Sequence, residues 1–313
     1  FVEMPVGEWT KIQMQEKNGI LFIGACGIAV RAVAPYLTDK LHDSPVLVMD
    51  ERGEYVIPIL SGHMGGANEL ACYLGEKTGA LPVITTATDI NDKFAVDLFA
   101  KKNELSIINK EGIAKVSSKV LAGEEVTVSI EPGYEGSLVW ESGIKERKGE
   151  LPEKVHMLSY PPTQYVDIVI TSKADLFDAA ICLRPKEYAV GLGCKRGKSA
   201  DEIDDFIKRK LQEYSVPVTE IFALSSISRK SDEQGIIKWC RKENIPFRTY
   251  TAEELQTVEG DFKRSSFVKE QVGVDNVCER AALRACGKTG QLICTKCSEN
   301  GMTVAIAKRV RKI

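Results

Sequence analysis

Between residues 20 and 102, short apolar runs alternate with amphipathic stretches whose apolar positions recur every three or four residues. Residues 20–23, 46–49, 55–60 and 82–85 read as strands, and residues 28–37, 66–78 and 94–102 as helices. Asp50-Glu51-Arg52-Gly53-Glu54 predicts a hairpin connection, and Pro58 predicts an edge strand or an irregular pairing. Gly79 stands where a helix over 66–78 would end in left-handed backbone. Such alternation predicts an α/β sheet whose functional loops gather at the strand C-termini.

Near Asn109 the pattern changes. One helix over 112–121 precedes short β-rich runs at 126–130, 155–158, 166–170 and 179–183, punctuated by Gly133, Gly136, Gly143, Gly149 and Pro161-Pro162. After Lys186 the α/β pattern returns, with a strand over 188–192 and the turn Gly193-Cys194-Lys195-Arg196-Gly197-Lys198. Ser199 and Glu202 fit a capping box, and Ile203, Phe206, Ile207 and Leu211 form one apolar stripe. Strands at 221–224 and 246–249, helices at 233–243, 252–258 and 277–285, and a hairpin of 292–294 with 302–307 follow. The predicted architecture is multi-domain α/β: an α/β N-terminal domain over 1–108, a small α+β middle domain over 109–186 and an α/β C-terminal domain over 187–313.

At 313 residues, with 43% hydrophobic and 27% charged positions, the composition is that of a soluble globular protein. A net charge of -2 and the lack of a basic-aromatic stripe argue against a nucleic-acid partner. No run is long and apolar enough to predict a membrane span, and no signal peptide is evident. The first residue is Phe1 rather than methionine, as in a chain trimmed at that end. Nine irregularly spaced cysteines cannot all pair and suit a reducing compartment, so a cytoplasmic location is expected. Cys294 and Cys297 form the only close pair. With Cys278 and Cys286 they number four, but the second C-x-x-C of a zinc site is missing, so reduced thiols and no metal are expected.

The chemically richest stretch runs from Ile57 to Ala71. An apolar run ends in Ser61-Gly62-His63, then Met64-Gly65-Gly66 leads into a helical pattern. Bare N–H groups and a helix N-terminus beside an imidazole favour anions and acid–base chemistry. His63 is a general base or a hydrogen-bonded turn residue, whereas His42 and His156 stand in surroundings that suit the surface. N–H groups near Gly65, Gly66 and Ala67 suit an oxyanion or a carboxylate. Glu69 is a second acid–base group or an acidic residue favoured by the helix dipole. Asp89, after Thr85-Thr86-Ala87-Thr88, is a crevice carboxylate or a helix cap.

Asp97 reads as structural. Arg31, a cation in an apolar helix, calls for a carboxylate from protein or ligand. Lys195 and Arg196 between Gly193 and Gly197 suit a carboxylate arm or are exposed turn cations. Cys194 in so electropositive a turn would have a depressed pKa. No P-loop or Gly-x-Gly-x-x-Gly follows a strand, which counts against a nucleotide-dependent enzyme.

Several of these stretches resemble the cobalt-precorrin-5A hydrolase family (CbiG) of anaerobic cobalamin biosynthesis. They are Gly27-Ile28-Ala29-Val30-Arg31-Ala32-Val33-Ala34-Pro35, the segment from Ile57 to Ala71, Pro82-Val83-Ile84-Thr85-Thr86-Ala87-Thr88-Asp89, and Phe94-Ala95-Val96-Asp97. Further on they are Gly191-Leu192-Gly193-Cys194-Lys195-Arg196-Gly197, Phe267-Val268-Lys269-Glu270-Gln271-Val272-Gly273-Val274, Val277-Cys278-Glu279 and Met302-Thr303-Val304-Ala305-Ile306-Ala307. The resemblance runs nearly end to end, and the long Ser-Gly-His segment is its most specific part. It implies three consecutive regions, another strand and helix ahead of Phe1, and a last third similar to the small CobE protein.

The resemblance also implies a reaction. The δ-lactone of cobalt-precorrin-5A opens, a two-carbon unit leaves as acetaldehyde, and cobalt-precorrin-5B remains. Cobalt arrives with the substrate, and no cofactor of the protein's own is implied. Lactone opening requires an activated water, a stabilised oxyanion and an acid for the departing oxygen. For that chemistry His63, Glu69 and Asp89 are the catalytic candidates. Arg31, Ser61, Gly62, Gly65, Gly66, Asn68, Thr85, Thr86, Gly193, Lys195 and Arg196 are the candidates for holding the substrate. Expected partners are the cobalt-corrinoid, other cobalamin-pathway enzymes in transient handover, and a second copy in a homodimer, with no nucleic acid and no membrane. The competing reading is a non-catalytic binder or carrier of corrinoid intermediates, which would release no acetaldehyde.

Overall fold

The computed structural model of the chain describes residues 3–38, 43–63, 65–87, 93–140, 151–173, 177–263, 270 and 272–310. Its first unit comprises α1 (Val6–Gln15), β1 (Ile20–Ile23), α2 (Cys26–Val33), β2 (Val46–Met49), β3 (Tyr55–Leu60), α3 (Ala67–Thr78) and β4 (Leu81–Pro82). The strands form one sheet in that order. β1 and β2 are parallel, β2 and β3 form the expected antiparallel hairpin, and β4 runs parallel to β3. The ladder shifts register opposite Pro58 and Leu60, as a strand residue without an N–H leads one to expect. β3 ends beside Val46, where β2 begins, so the loops after β3 and β4 lie at the opposite end of the sheet from the loop after β1.

The second unit comprises α4 (Val96–Lys102), β5 (Leu105–Ile107), α5 (Glu111–Ala122), β6 (Val126–Ile130), β7 (Val155–Leu158), β8 (Val166–Ile170) and β9 (Ala179–Pro185). Strand order is β5-β9-β8-β6-β7, and every pair but β5 with β9 is parallel. All five residues of β8 are buried, the continuous burial of a parallel sheet covered on both faces. The middle unit is therefore closer to α/β than to the expected α+β. Its first joint also lies earlier than residue 108. Phe94, Val96, Phe99 and Ala100 share a core with Ile113, Val128 and Ile168, and β5 is an edge strand of the middle sheet.

The third unit comprises β10 (Tyr188–Cys194), α6 (Ala200–Glu213), β11 (Ile221–Ile227), α7 (Gln234–Glu243), β12 (Phe247–Tyr250), α8 (Ala252–Gln256), α9 (Cys278–Cys286), β13 (Gly290–Glu299) and β14 (Met302–Arg309). Strand order is β12-β11-β10-β14-β13, three parallel strands followed by the predicted hairpin. The stripe of α6 is fully buried against this sheet. Its capping box forms, with Ser199 Oγ accepting from the Glu202 N–H at 3.2 Å and Glu202 Oε2 accepting from the Ser199 N–H at 3.0 Å. Ser199→Ala is expected to lower stability by about 1 kcal/mol. An unchanged urea midpoint would mean that the helix start does not depend on its cap.

The third unit meets the others at one end of its sheet. Glu104 ion-pairs with Arg309 at 2.5 Å and Arg248 at 3.4 Å, and Arg184 with Glu220 at 3.4 Å. Tyr134 donates to Glu187 at 2.6 Å, and Lys17 to the Lys242 carbonyl at 3.4 Å. All of these partners lie where β10, β11 and β12 begin.

Candidate active site

The turn between β3 and α3 is held by its own backbone. Ser61 and Gly66 take left-handed conformations, with φ of 55° and 82°. The N–H groups of Gly66, Ala67 and Asn68 donate to the carbonyls of His63, Ser61 and Gly62 at 3.0, 3.1 and 3.0 Å. The N–H groups of Gly66 and Ala67, expected to face an anion, are thus already used within the turn. A Cβ at Gly62 would fall 2.7 Å from Asn68 Oδ1, and one at Gly65 would fall 2.8 Å from the Ser61 carbonyl oxygen. These two glycines are required for close packing. The Ser61 hydroxyl donates to the Asp43 carbonyl at 2.9 Å.

Fixed in this way, the turn presents His63 to the second unit. His63 Nδ1 lies 3.5 Å from Oδ2 of Asp97, in the first turn of α4. The side chains are 13% and 10% exposed, so water screens the pair weakly. A carboxylate at Nδ1 favours the tautomer with its proton there, leaving the Nε2 lone pair as the base. The second Asp97 oxygen accepts from the Leu98 N–H at 3.1 Å. Asp97, read as structural from the sequence, is the residue that the structure sets against the imidazole. Its only signal was membership in the Phe94-Ala95-Val96-Asp97 stretch.

Other candidates gather around this pair. Asn68 is buried and donates through Nδ2 to Thr86 Oγ1 at 3.1 Å, tying the turn to the loop after β4, where Thr85 is exposed. Glu69 Oε2 and Lys101 Nζ lie 3.8 and 3.7 Å from where a Cβ would stand on Gly66. A carboxylate of the first unit and an ammonium of the second thus both approach Gly66. Asp89 and His42 fall outside the described residues.

Two groups of candidates are not brought to this place. The Arg31 guanidinium folds back over Gly27, 3.6 Å from the position of a Cβ there, at the opposite end of the first sheet. Gly193, Lys195 and Arg196 belong to the far end of the third unit. Arg196 is taken up by Asp232 at 3.2 Å and the Arg229 carbonyl at 3.2 Å. Cys194 departs from expectation as well. Burial pushes its thiol pKa up, outweighing the pull of Lys230 and Lys198.

The Cys294 and Cys297 sulfurs lie 3.8 Å apart, and among the described residues no group of three or more potential metal ligands forms. Burial pushes the Cys294 thiol up to about 11. We expect all cysteines to titrate as thiols in denaturant and the native protein to carry no stoichiometric zinc. About one equivalent of zinc, lost on replacing Cys294 or Cys297, would contradict this.

Comparison with known proteins supplies the class. Residues 8–89 match the family described as cobalamin synthesis G N-terminal, and residues 188–307 match cobalamin synthesis G C-terminus. The chain is 34% identical to the cobalt-precorrin-5A hydrolase of Salmonella typhimurium, over 92% of this chain and 81% of that protein. It is 32% identical to the cobalt-precorrin-5A hydrolase of Priestia megaterium, over 93% and 78%. Over 38% of its length it is also 27% identical to protein CobE of a Sinorhizobium species, covering 77% of that protein. The chain belongs to the cobalt-precorrin-5A hydrolase family. His63 lies inside the first matched segment, and Asp97 lies outside both.

Proposed function

We propose that the protein hydrolyses cobalt-precorrin-5A, opening its δ-lactone and releasing acetaldehyde to leave cobalt-precorrin-5B. One observation supports the placement of the chemistry: in a chain of this family, the turn imidazole stands against a buried carboxylate where two units meet. Nε2 of His63 takes a proton from the water that attacks the lactone carbonyl, and Asp97 stabilises the resulting imidazolium. The acyl carbon–oxygen bond then breaks, and the departing oxygen is protonated. In this reading Glu69, in the first turn of the helix that follows the glycine turn, supplies that proton. Loss of the freed hydroxyl's proton drives carbon–carbon cleavage, with the electron pair passing into the cobalt-bearing macrocycle of the substrate. The protein thus acts as a carbon–carbon hydrolase by supplying acid, base and position.

The same reading places the protein in the cytoplasm, supported by nine free cysteines, and passes the product to the next enzyme of the pathway. It also includes a homodimer, supported by the open edge of β1 with Leu21 and Ile23 exposed, which sedimentation would test. The deciding measurement is acetaldehyde release, coupled to alcohol dehydrogenase and read as nicotinamide absorbance. Release of one equivalent per corrinoid is expected. Binding without release would favour the carrier reading.

A further inference from the structure

We propose that the third unit holds a second corrinoid site, separate from the His63 turn. It is a cavity that takes one edge of a flat apolar macrocycle together with its carboxylate arms. The identity of this ligand class rests on the proposed function; the existence of the site does not.

The cavity has a volume of about 480 Å³ and opens where β10 and β11 end, beneath the β13–β14 hairpin turn. That volume lies within the range of small-molecule sites. Ile227, Val272, Val277 and Met302 provide apolar wall, and three lysines reach the lining: Lys195, Lys230 and Lys296. Lys230 is neutralised by Glu233 at 2.8 Å. The Glu299 carboxylate, which also lines the cavity, is held by Arg209 at 2.8 Å. Lys195 and Lys296 have no ion pair among the described residues. Among the described residues, two ammonium groups without an ion pair therefore stand beside an apolar wall, with the buried Glu279 carboxylate accepting from the Lys296 N–H at 2.7 Å behind it. The Cys194 thiol adds no opposing charge, because burial raises its pKa.

Lys195 is also positioned rather than merely exposed. Its N–H donates to the Gly301 carbonyl at 2.9 Å, and its stem lies across Gly301, where a Cβ would come within 2.9 Å of Cδ. Gly301 has φ of 74°, the left-handed conformation that favours glycine. The hairpin turn thus serves as a seat for one of the two free ammonium groups.

Topology separates this cavity from the His63 turn. Ion pairs and hydrogen bonds from the other two units reach the third sheet where its parallel strands begin, whereas the cavity lies where they end. The seven residues of β10, about 20 Å at roughly 3.3 Å per residue, lie between the end of the third sheet that meets the other units and the end that carries the cavity. A lysine pair meant to grip the reacting edge of the substrate would not be placed there. A waiting site for incoming substrate or departing product would be.

The test uses the full-length protein and two stable probes. Dicyanocobyrinic acid carries free carboxylates; dicyanocobinamide carries the same ring with amides. In absorbance titrations the acid is expected to bind, with affinity falling as salt rises, and the amide to bind at least ten-fold more weakly. Lys195→Glu and Lys296→Glu should each weaken binding of the acid at least ten-fold, with the milder Lys296→Gln moving in the same direction and thermal midpoints unchanged. His63→Ala should bind as the parent does. Parent-like binding by Lys296→Glu, equal binding of both probes, or displacement by equimolar ATP or inorganic phosphate would overturn the site. Loss of binding in His63→Ala would reduce it to one shared site and overturn it equally. Acetaldehyde release is measured on the same preparation. Release without cavity binding ends this proposal alone, and cavity binding without release ends the hydrolase reading alone.

Discussion

Acetaldehyde release is expected to fall by about two to four orders of magnitude when His63 is replaced by alanine, the range for loss of a general base. The fold should survive. The backbone bonds of the turn use the His63 carbonyl rather than its side chain, and the required glycines and Asn68 are untouched. Corrinoid binding should persist for the same reason. His63→Asn is the sharper variant, because an amide can occupy the position and meet a hydrogen-bond partner but cannot accept the water's proton. It should fail almost as badly as alanine. Near-parent turnover in both proteins would remove His63 from the mechanism and leave Glu69 or Asp89 as the next candidate base.

Asp97→Asn is expected to lower kcat by roughly ten- to a thousand-fold, with little change in KM. An amide can present an N–H to Nδ1, which favours the tautomer with the proton on Nε2, where the lone pair is needed. It also withdraws the negative charge that stabilises the imidazolium formed as the water is deprotonated. The acidic limb of the kcat/KM profile should therefore move to lower pH, since the protonated imidazole has lost its counter-charge. A purely structural Asp97 would lower the thermal midpoint and leave the profile in place. That outcome, or an unchanged rate, would reduce His63 and Asp97 to a joint between two units.

These predictions draw unequally on what local sequence reveals. The turn was legible. Ser61, Gly62, Gly65 and Gly66 form a pattern that needs left-handed backbone and close approach, and both are present. The cap of α6 and the end of α3 at Gly79 were legible too, because each depends on residues a few positions apart. Asp97 was not legible as a partner of His63, since nothing within its own helix distinguishes it from any first-turn acid. Arg196 looked available for a ligand because its partner, Asp232, arrives from a loop 36 positions away.

By itself, then, the sequence determined most of the elements (but not α1 or β5), the glycine turn and the family. Each is encoded in the periodicity of apolar positions or in short motifs, which act over one or two turns of chain. Only the tertiary structure decided that α4 and β5 join the middle sheet, because periodicity tells which face is buried and not what buries it. The antiparallel direction of β3 carried the His63 turn away from Arg31, and the ends at which the third sheet docks kept Lys195 apart from both. Strand direction and docking are set by contacts between residues far apart in the chain, and those contacts placed Asp97 rather than Arg31 or Lys195 beside the imidazole.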